Sequence, residues 1–474
     1  MTSYFRSPPW RLALIGWFAL GSVVCVIGCL RHSFPVQFAD VVRLDGRGPG
    51  AGALSTREWM EDVHARLREM LPPTDKAPLL TDDLTTVRGR PRDVARYFQI
   101  NRAMQHSLLA NSSGLVHTAQ ATVDVPSAQL EEPWPGFEDV WAPIEPGFAL
   151  SGRIGYARRG DRVIDADCII MLPGILADKN VSRTRDVCIA LRDAGYHVIA
   201  VDLRGHGRTL QRYPDHYPTF GILETGDLIA LSEWLEAQPH VRETGMMGFC
   251  WGANLAMLAA WEDGRGDDTR DVSERFTGRM RPRNDRPHFR AGILAFSPPL
   301  RFERIIDQTT EREWTFLDNP VLAGLQDRVR LRMKQMGYRR PCGSLKRLMH
   351  EEAERSPWGT TDVVSEGLNY LRLMPPAGKT VSNKLEHVRT PVLIVHAAND
   401  PLCPAQDVAD FMSTVRNPHV AAIVLAGGGH DGFAPYAGNY FYSLVFNFYD
   451  PGLGAAANLA RRTAPVAHAP APAR

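Results

Sequence analysis

Gly248-Phe249-Cys250-Trp251-Gly252 stands between an apolar run, Thr244 to Phe249, and a helical stretch from Trp251 to Trp261. A strand that turns sharply into a helix pushes one side chain into the open and holds its backbone in a strained conformation. Two residues before it and two after, the chain passes too close to its neighbours for a side chain, so glycine is required there. Gly248 and Gly252 meet that requirement, and Cys250 takes the presented position. A lone G-x-C-x-G arises by chance. Its weight comes from what lies on either side.

Upstream, Cys168-Ile169-Ile170-Met171-Leu172 reads as a buried strand ending at Pro173-Gly174, and Arg183 to Ala194 as a helix. His197-Val198-Ile199-Ala200-Val201 is the next strand, closed by Asp202-Leu203-Arg204-Gly205-His206-Gly207. A helix from about Leu223 to Ala237 leads to the Thr244 strand. Downstream, Ala291 to Phe296, Pro391 to Val395 and Ala421 to Leu425 are further strands, while Phe148 to Ala157 alternates like an edge hairpin strand. The internal runs are too short for helices and too uniformly apolar for a surface ribbon, as expected when both faces of a sheet are covered. Strands alternating with helices in this way indicate an α/β fold with a mostly parallel sheet flanked by helices.

Two further residues complete a chemistry. Asp400 follows the Pro391 strand and precedes Pro401 and Pro404. His430 follows the last strand and three glycines, Gly427 to Gly429. The chain order nucleophile, acid, histidine is the one expected for a nucleophile elbow on such a sheet. His430 would take the thiol proton and return it to the leaving group, while Asp400 holds the ring's tautomer. A thiol at a helix start beside an imidazole is expected to be more nucleophilic than a free cysteine. The backbone N–H groups of Trp251 and of Ile175 are the candidates for the oxyanion hole. His206, His396 and Cys403 are read as structural or packed residues, while Asn254 either hydrogen-bonds within the site or orients a helix.

The stretch from Leu172 to Phe433 resembles the α/β-hydrolase superfamily. Leu172-Pro173-Gly174, the Asp202 to Gly207 turn, the Cys250 turn, Asn399-Asp400-Pro401 and Gly429-His430 arrive in that family's order. Leu172-Pro173-Gly174, Gly252-Ala253-Asn254 and Gly429-His430-Asp431-Gly432-Phe433 are similar to its membrane-anchored esterase and acylglycerol-lipase branch. Most of that branch carries serine where Cys250 stands. A cysteine here is similar to dienelactone hydrolases and polyhydroxyalkanoate synthases. The resemblance implies hydrolysis of a carboxylic ester, lactone or thioester through an acyl-cysteine. Acyl transfer of the synthase type, or binding on the same fold without turnover, are the competing expectations.

The 474-residue chain is 44% hydrophobic and 23% charged, with a formal charge of +1, so no basic field invites nucleic acid. Its seven cysteines are scattered and form neither a disulfide framework nor a zinc-type spacing. No Gly-rich phosphate loop is present, and no cofactor or metal is expected. Leu12 to Leu30 holds no charged residue and is long enough to span a bilayer. A cleaved signal peptide, or a lipoprotein box ending at Cys29, would suit the same stretch. A span or a lipid on Cys29 would hold the chain at a membrane, on an undetermined side.

The resulting division gives residues 1–33 as anchor or signal segment and 34–147 as a helical and irregular extension. Within the extension, Ser55-Thr56-Arg57-Glu58 forms a capping box opening a helix toward Met70, and Asp93 to Leu109 reads as another. Residues 148–298 and 390–450 are the two parts of the core. Residues 299–389, of helical periodicity, form a cap over the strand ends, where α/β sheets bind ligands. It suits a small, apolar acyl substrate. The Arg- and Asp-rich stretch Gly264 to Arg290 reads as a surface loop, and 451–474 as a disordered Ala/Pro-rich tail.

Overall fold

Alternation of side chains along Cys168 to Leu172 sends Cys168, Ile170 and Leu172 into one apolar cluster and Ile169 and Met171 into another. A strand with both faces buried lies inside a sheet covered on each side. The computed structural model describes residues 44, 56–71, 114, 115, 118, 132–265, 286–315, 319–355, 372, 373, 383–425 and 427–449. Its main sheet has eight strands: β1 (Glu138–Glu145), β2 (Phe148–Gly155), β3 (Ala166–Leu172), β4 (His197–Asp202), β5 (Val241–Phe249), β6 (Gly292–Phe296), β7 (Val392–Ala397) and β8 (Val420–Leu425). Their spatial order is β1-β2-β4-β3-β5-β6-β7-β8. All pairs from β4 to β8 are parallel, and β2 runs against both of its neighbours.

Helices cover both faces. Helix α1 (Thr56–Met70), α2 (Ser182–Asp193) and, after β8, α10 (Phe433–Tyr449) contribute to the cluster holding Ile169. A short α3 (Gly207–Arg212) follows β4. Helices α4 (Ile222–Glu236), α5 (Trp251–Gly264) and α9 (Ala405–Thr414) contribute to the opposite cluster. Between β6 and β7, helices α6 (Phe302–Glu311), α7 (Pro320–Gln335) and α8 (Leu345–Arg355) pack on one another and send Leu322, Leu325, Val329 and Met333 into the same cluster as Cys250 and Trp251.

The sheet begins earlier than the sequence pattern indicates. Phe148–Gly155 is not the edge: Glu138–Glu145, within the stretch assigned to the extension, pairs antiparallel with it and forms the outermost strand. Only Ala142 of β1 is buried, and Pro143 precedes a register shift. A polar edge strand carrying a proline lacks the apolar run by which buried strands are recognised. Helix α1 is where the capping box places it, tied to the fold by a 2.6 Å hydrogen bond between His64 Nδ1 and the Tyr440 hydroxyl.

The Asp93–Leu109 helix, most of the Gly264–Arg290 loop, the tail and the Leu12–Leu30 run lie outside the described residues. Among those described, no helix is long and apolar enough to cross a membrane.

Register is what gathers the loops that matter. Leu172 pairs with Gly248, Phe249 with Phe296, Phe296 with Val395, and Ala397 with Leu425. Strands β3, β5, β7 and β8 therefore end level with one another. The loops carrying Pro173-Gly174, Cys250, Asp400 and His430 emerge at one rim, the carboxyl end where parallel sheets place their ligands.

Candidate active site

Cys250 sits between β5 and α5 with φ 54° and ψ −123°. A non-glycine residue in that region costs on the order of 1–3 kcal/mol, so the surrounding structure must impose it. The two flanking glycines show how. A Cβ on Gly248 would lie 2.4 Å from the carbonyl carbon of Gly252, and one on Gly252 would lie 2.4 Å from the Pro173 carbonyl oxygen. The Cys250 amide is fixed by donation to the Phe296 carbonyl at 2.9 Å. Only 7% of Cys250 is exposed, so the nucleophile position is nearly buried.

The Pro173-Gly174 loop leans on this turn: a Cβ on Gly174 would stand 3.5 Å from Cys250 Cβ. That brings Ile175 close to the nucleophile position. Trp251 is the first residue of α5, where a backbone N–H has no intrahelical acceptor.

Asp400 is held as an acceptor. One carboxylate oxygen takes the amides of Leu402 and Cys403, each at 2.8 Å, and the other lies 2.9 Å from His430 Nδ1. Burial alone would raise its pKa, but the His430 charge and these hydrogen bonds hold it below the usual carboxylate range. His430 is raised well above an ordinary histidine: burial opposes its charge, and Asp400, Asp431 and Cys250 together overcome that. The Cys250 sulfur, a His430 ring nitrogen and an Asp431 carboxylate oxygen all lie within 4.8 Å of one another. His430 Nε2 is buried without a hydrogen-bond partner. The structure thus gathers Cys250, His430 and Asp400, in that order, at one rim of the sheet.

Several neighbours carry no signal in the sequence. His430 is clamped from the amino-terminal extension: its amide donates to Thr118 Oγ1 at 2.7 Å, while that hydroxyl donates to the Gly114 carbonyl at 2.6 Å. Gly429 (φ 56°) must be glycine, since a Cβ there would lie 2.3 Å from the Gly114 carbonyl. Thr118→Val keeps the shape and leaves the His430 amide without an acceptor. It should cost about 1–3 kcal/mol of stability, read by denaturant titration, and loosen the imidazole enough to lower turnover. Unchanged stability and turnover would show that this clamp is idle.

Asp431, at φ 66°, stands 3.7 Å from His430 Nε2 and 3.6 Å from Arg183 Nη1. Arg183, in the first turn of α2, lies over the Phe249 ring at 4.3 Å. Cys250, His430 and Asp431 have the donor spacing of a soft-metal site, and the Arg183 charge beside Asp431 opposes a cation there. Cys403 also lies within 4.8 Å of Asp400 and His430 at their donor atoms, and burial with the Asp400 charge pushes its thiol pKa up. That suits filler better than a second nucleophile.

The remaining sequence candidates make the following contacts. His396 is fully buried on β7 and bonds the Cys403 carbonyl at 2.8 Å. His206 bonds the Arg204 carbonyl, stacks near Trp251, and is lowered to about 4 by burial and then Arg332. Asn254 donates to the Pro299 carbonyl at 3.2 Å, tying α5 to the start of the cap. In the Asp202–Gly207 turn, Asp202 pairs with the buried Lys179 and caps Arg208, and Arg204 clamps Asp227. Its role is architectural.

The sequence profile of the Alpha/beta hydrolase family matches residues 169–437, more than half of the chain. This chain belongs to that family. An alpha/beta hydrolase is an enzyme of the hydrolase type, and the eight-stranded sheet with its elbow is the fold described above. No curated protein matches the chain. Among solved structures, this alpha/beta hydrolase is similar to the esterase Pf2001 of Pyrococcus furiosus at 20% identity, over 66% of this chain and 91% of that one, with a TM-score of 0.41. It is similar to Est1E of Butyrivibrio proteoclasticus at 13% identity, over 65% and 98%, with a TM-score of 0.37. The alpha/beta hydrolase GrgF of Penicillium sp. sh18 aligns at 17% identity over 66% and 97%, with a TM-score of 0.41.

Proposed function

We propose that this hydrolase cleaves a carboxylic ester, lactone or thioester through a covalent acyl-cysteine on Cys250, with His430 as base and acid and Asp400 as its positioning partner. The observation that carries the reading is the convergence of an elbow cysteine and an Asp-held imidazole: Cys250 Sγ within 4.8 Å of a His430 nitrogen, and His430 Nδ1 at 2.9 Å from Asp400.

His430 takes the Cys250 proton, and the sulfur attacks the carbonyl carbon. The carbonyl electron pair moves to oxygen, which the N–H groups of Trp251 and Ile175 receive. Collapse of the intermediate expels the alcohol or thiol, which leaves with the proton from His430. Water then loses a proton to His430, attacks the thioester and releases the acid, and the proton returns to sulfur. The uncharged run Leu12 to Leu30 supports membrane association of the whole enzyme.

Rapid quenching of the full-length chain during turnover of an activated acyl ester, followed by peptide mass analysis, should find the acyl mass on the peptide holding Cys250. An acyl mass on another residue, or turnover with none trapped at any substrate tested, would count against the mechanism.

A further inference from the structure

The imidazole at this site has two sulfurs for neighbours. Cys250 Sγ lies within 4.8 Å of a His430 ring nitrogen and of an Asp431 carboxylate oxygen. Cys403 Sγ lies within 4.8 Å of a His430 ring nitrogen and of an Asp400 carboxylate oxygen. Both thiols are free, and both residues are buried. Their backbones are fixed. The Cys403 amide donates to Asp400 at 2.8 Å and its carbonyl accepts from His396 Nε2 at 2.8 Å, while the Cys250 amide donates to the Phe296 carbonyl at 2.9 Å. What is left to turn at each position is the one Cα–Cβ bond that aims the sulfur. The other described cysteines lie elsewhere: Cys168 on β3, Cys188 on α2, and Cys342 in the cap, its amide on Met333 Sδ.

Cys403 takes no part in the acyl chemistry. Burial, and then the Asp400 charge, keeps its thiol protonated, so it does not compete with Cys250 for a carbonyl. A second thiol beside the same base has another use. A nucleophilic cysteine is the residue that an oxidant attacks first. Its sulfenic acid either condenses with a neighbouring thiol to a disulfide or goes on to a sulfinic acid, which thiols do not reverse.

We propose that Cys403 is a resolving thiol: hydrogen peroxide oxidises Cys250 to a sulfenic acid, and Cys403 closes it into a disulfide that stores the nucleophile in recoverable form. This rests on Cys250 being the reactive sulfur and adds a regulation of the same site. His430 takes the Cys250 proton, and the sulfur attacks one peroxide oxygen. The O–O bond breaks, and the departing hydroxide takes the proton from His430 and leaves as water. His430 then takes the Cys403 proton, and that sulfur attacks the Cys250 sulfur. The S–O bond breaks, and the second hydroxide leaves with the His430 proton as water. Two thiols have given up two electrons, and one peroxide has become two waters. The bridge holds the sulfurs at about 2.05 Å, and turnover stops because the nucleophile is consumed. Attack on the bridge by a reducing thiol restores both cysteines.

The test exposes the full-length chain to hydrogen peroxide, digests it without reductant and maps the peptides by mass. Those holding Cys250 and Cys403 should appear joined, two hydrogens lighter than their sum. Hydrolysis of p-nitrophenyl butyrate should be lost in parallel and return with dithiothreitol. Cys403→Ala should also lose activity to peroxide but recover at least about fivefold less of it with dithiothreitol, since its sulfenic acid passes on to sulfinic acid. No joined peptide, a bridge from Cys250 to another cysteine, or equal recovery in the two proteins would overturn the inference. Should Cys403→Ala fail to fold, the wild-type map decides alone. The acyl-cysteine reading falls separately, when no acyl mass is trapped on Cys250, because the joined peptides are read without any ester present.

Discussion

Cys250→Ala should lower kcat on the order of 10⁴-fold or more while the protein remains folded, because groups that act as one unit lose nearly everything when any member is removed. The sulfur is the only atom lost, and the elbow's backbone is set by Gly248, Gly252 and the Phe296 carbonyl rather than by the thiol. For the same reason Cys250→Ala with His430→Ala should be no slower than Cys250→Ala alone, since an imidazole without a nucleophile has no proton to move. Turnover of an activated ester by the single and double variants checks both statements, with circular dichroism to establish folding. Wild-type rates in Cys250→Ala would move the chemistry elsewhere. Cys403 would be the first alternative, as it shares His430, although its raised thiol pKa argues against it.

Asp400→Asn should lower kcat by about 10³- to 10⁴-fold although it changes one atom, the magnitude associated with a wrong imidazole tautomer. One oxygen of Asp400 accepts two amides, so the asparagine oxygen would stay there and its NH₂ would replace the oxygen facing His430 Nδ1. An NH₂ can only donate. Nδ1 would have to accept, the ring proton would move to Nε2, and Nε2 could no longer take a proton from sulfur.

The same substitution should change how stability depends on pH. His430 is raised in the folded protein, so its contribution is full below the ordinary histidine value of about 6.5 and is lost as pH rises through the raised one. Asp400 is depressed, so its contribution is present above about 3.9 and lost as pH falls through the lower folded value. Denaturation midpoints of wild type and Asp400→Asn should therefore differ most between those limits and converge outside them. A constant difference at every pH would remove the ion pair from the account.

The elements legible in the sequence are those whose signal is local. Buried strands such as Val420–Leu425 are continuous apolar runs, and the elbow needs two glycines at fixed spacing around one side chain. Asp400 and His430 could be singled out because each follows such a strand. Thr118 could not: it is one threonine in a stretch without periodicity, and its bond to His430 spans 312 positions. Glu138–Glu145 was hidden by its exposed edge and its proline. Arg183 reads as an ordinary cation on a helix, since nothing short of three-dimensional packing reveals that it lies over Phe249 and faces Asp431.

The clamp on His430 bears on how the enzyme can be taken apart. Residues 169–437 match the family, yet the acceptor for the His430 amide is donated from position 118, well before that stretch begins. An expression product trimmed to that stretch would lose α1, β1, β2 and most of α10 together with the hydroxyl that steadies the histidine. Poor activity in such a fragment would therefore indict the cut rather than the chemistry.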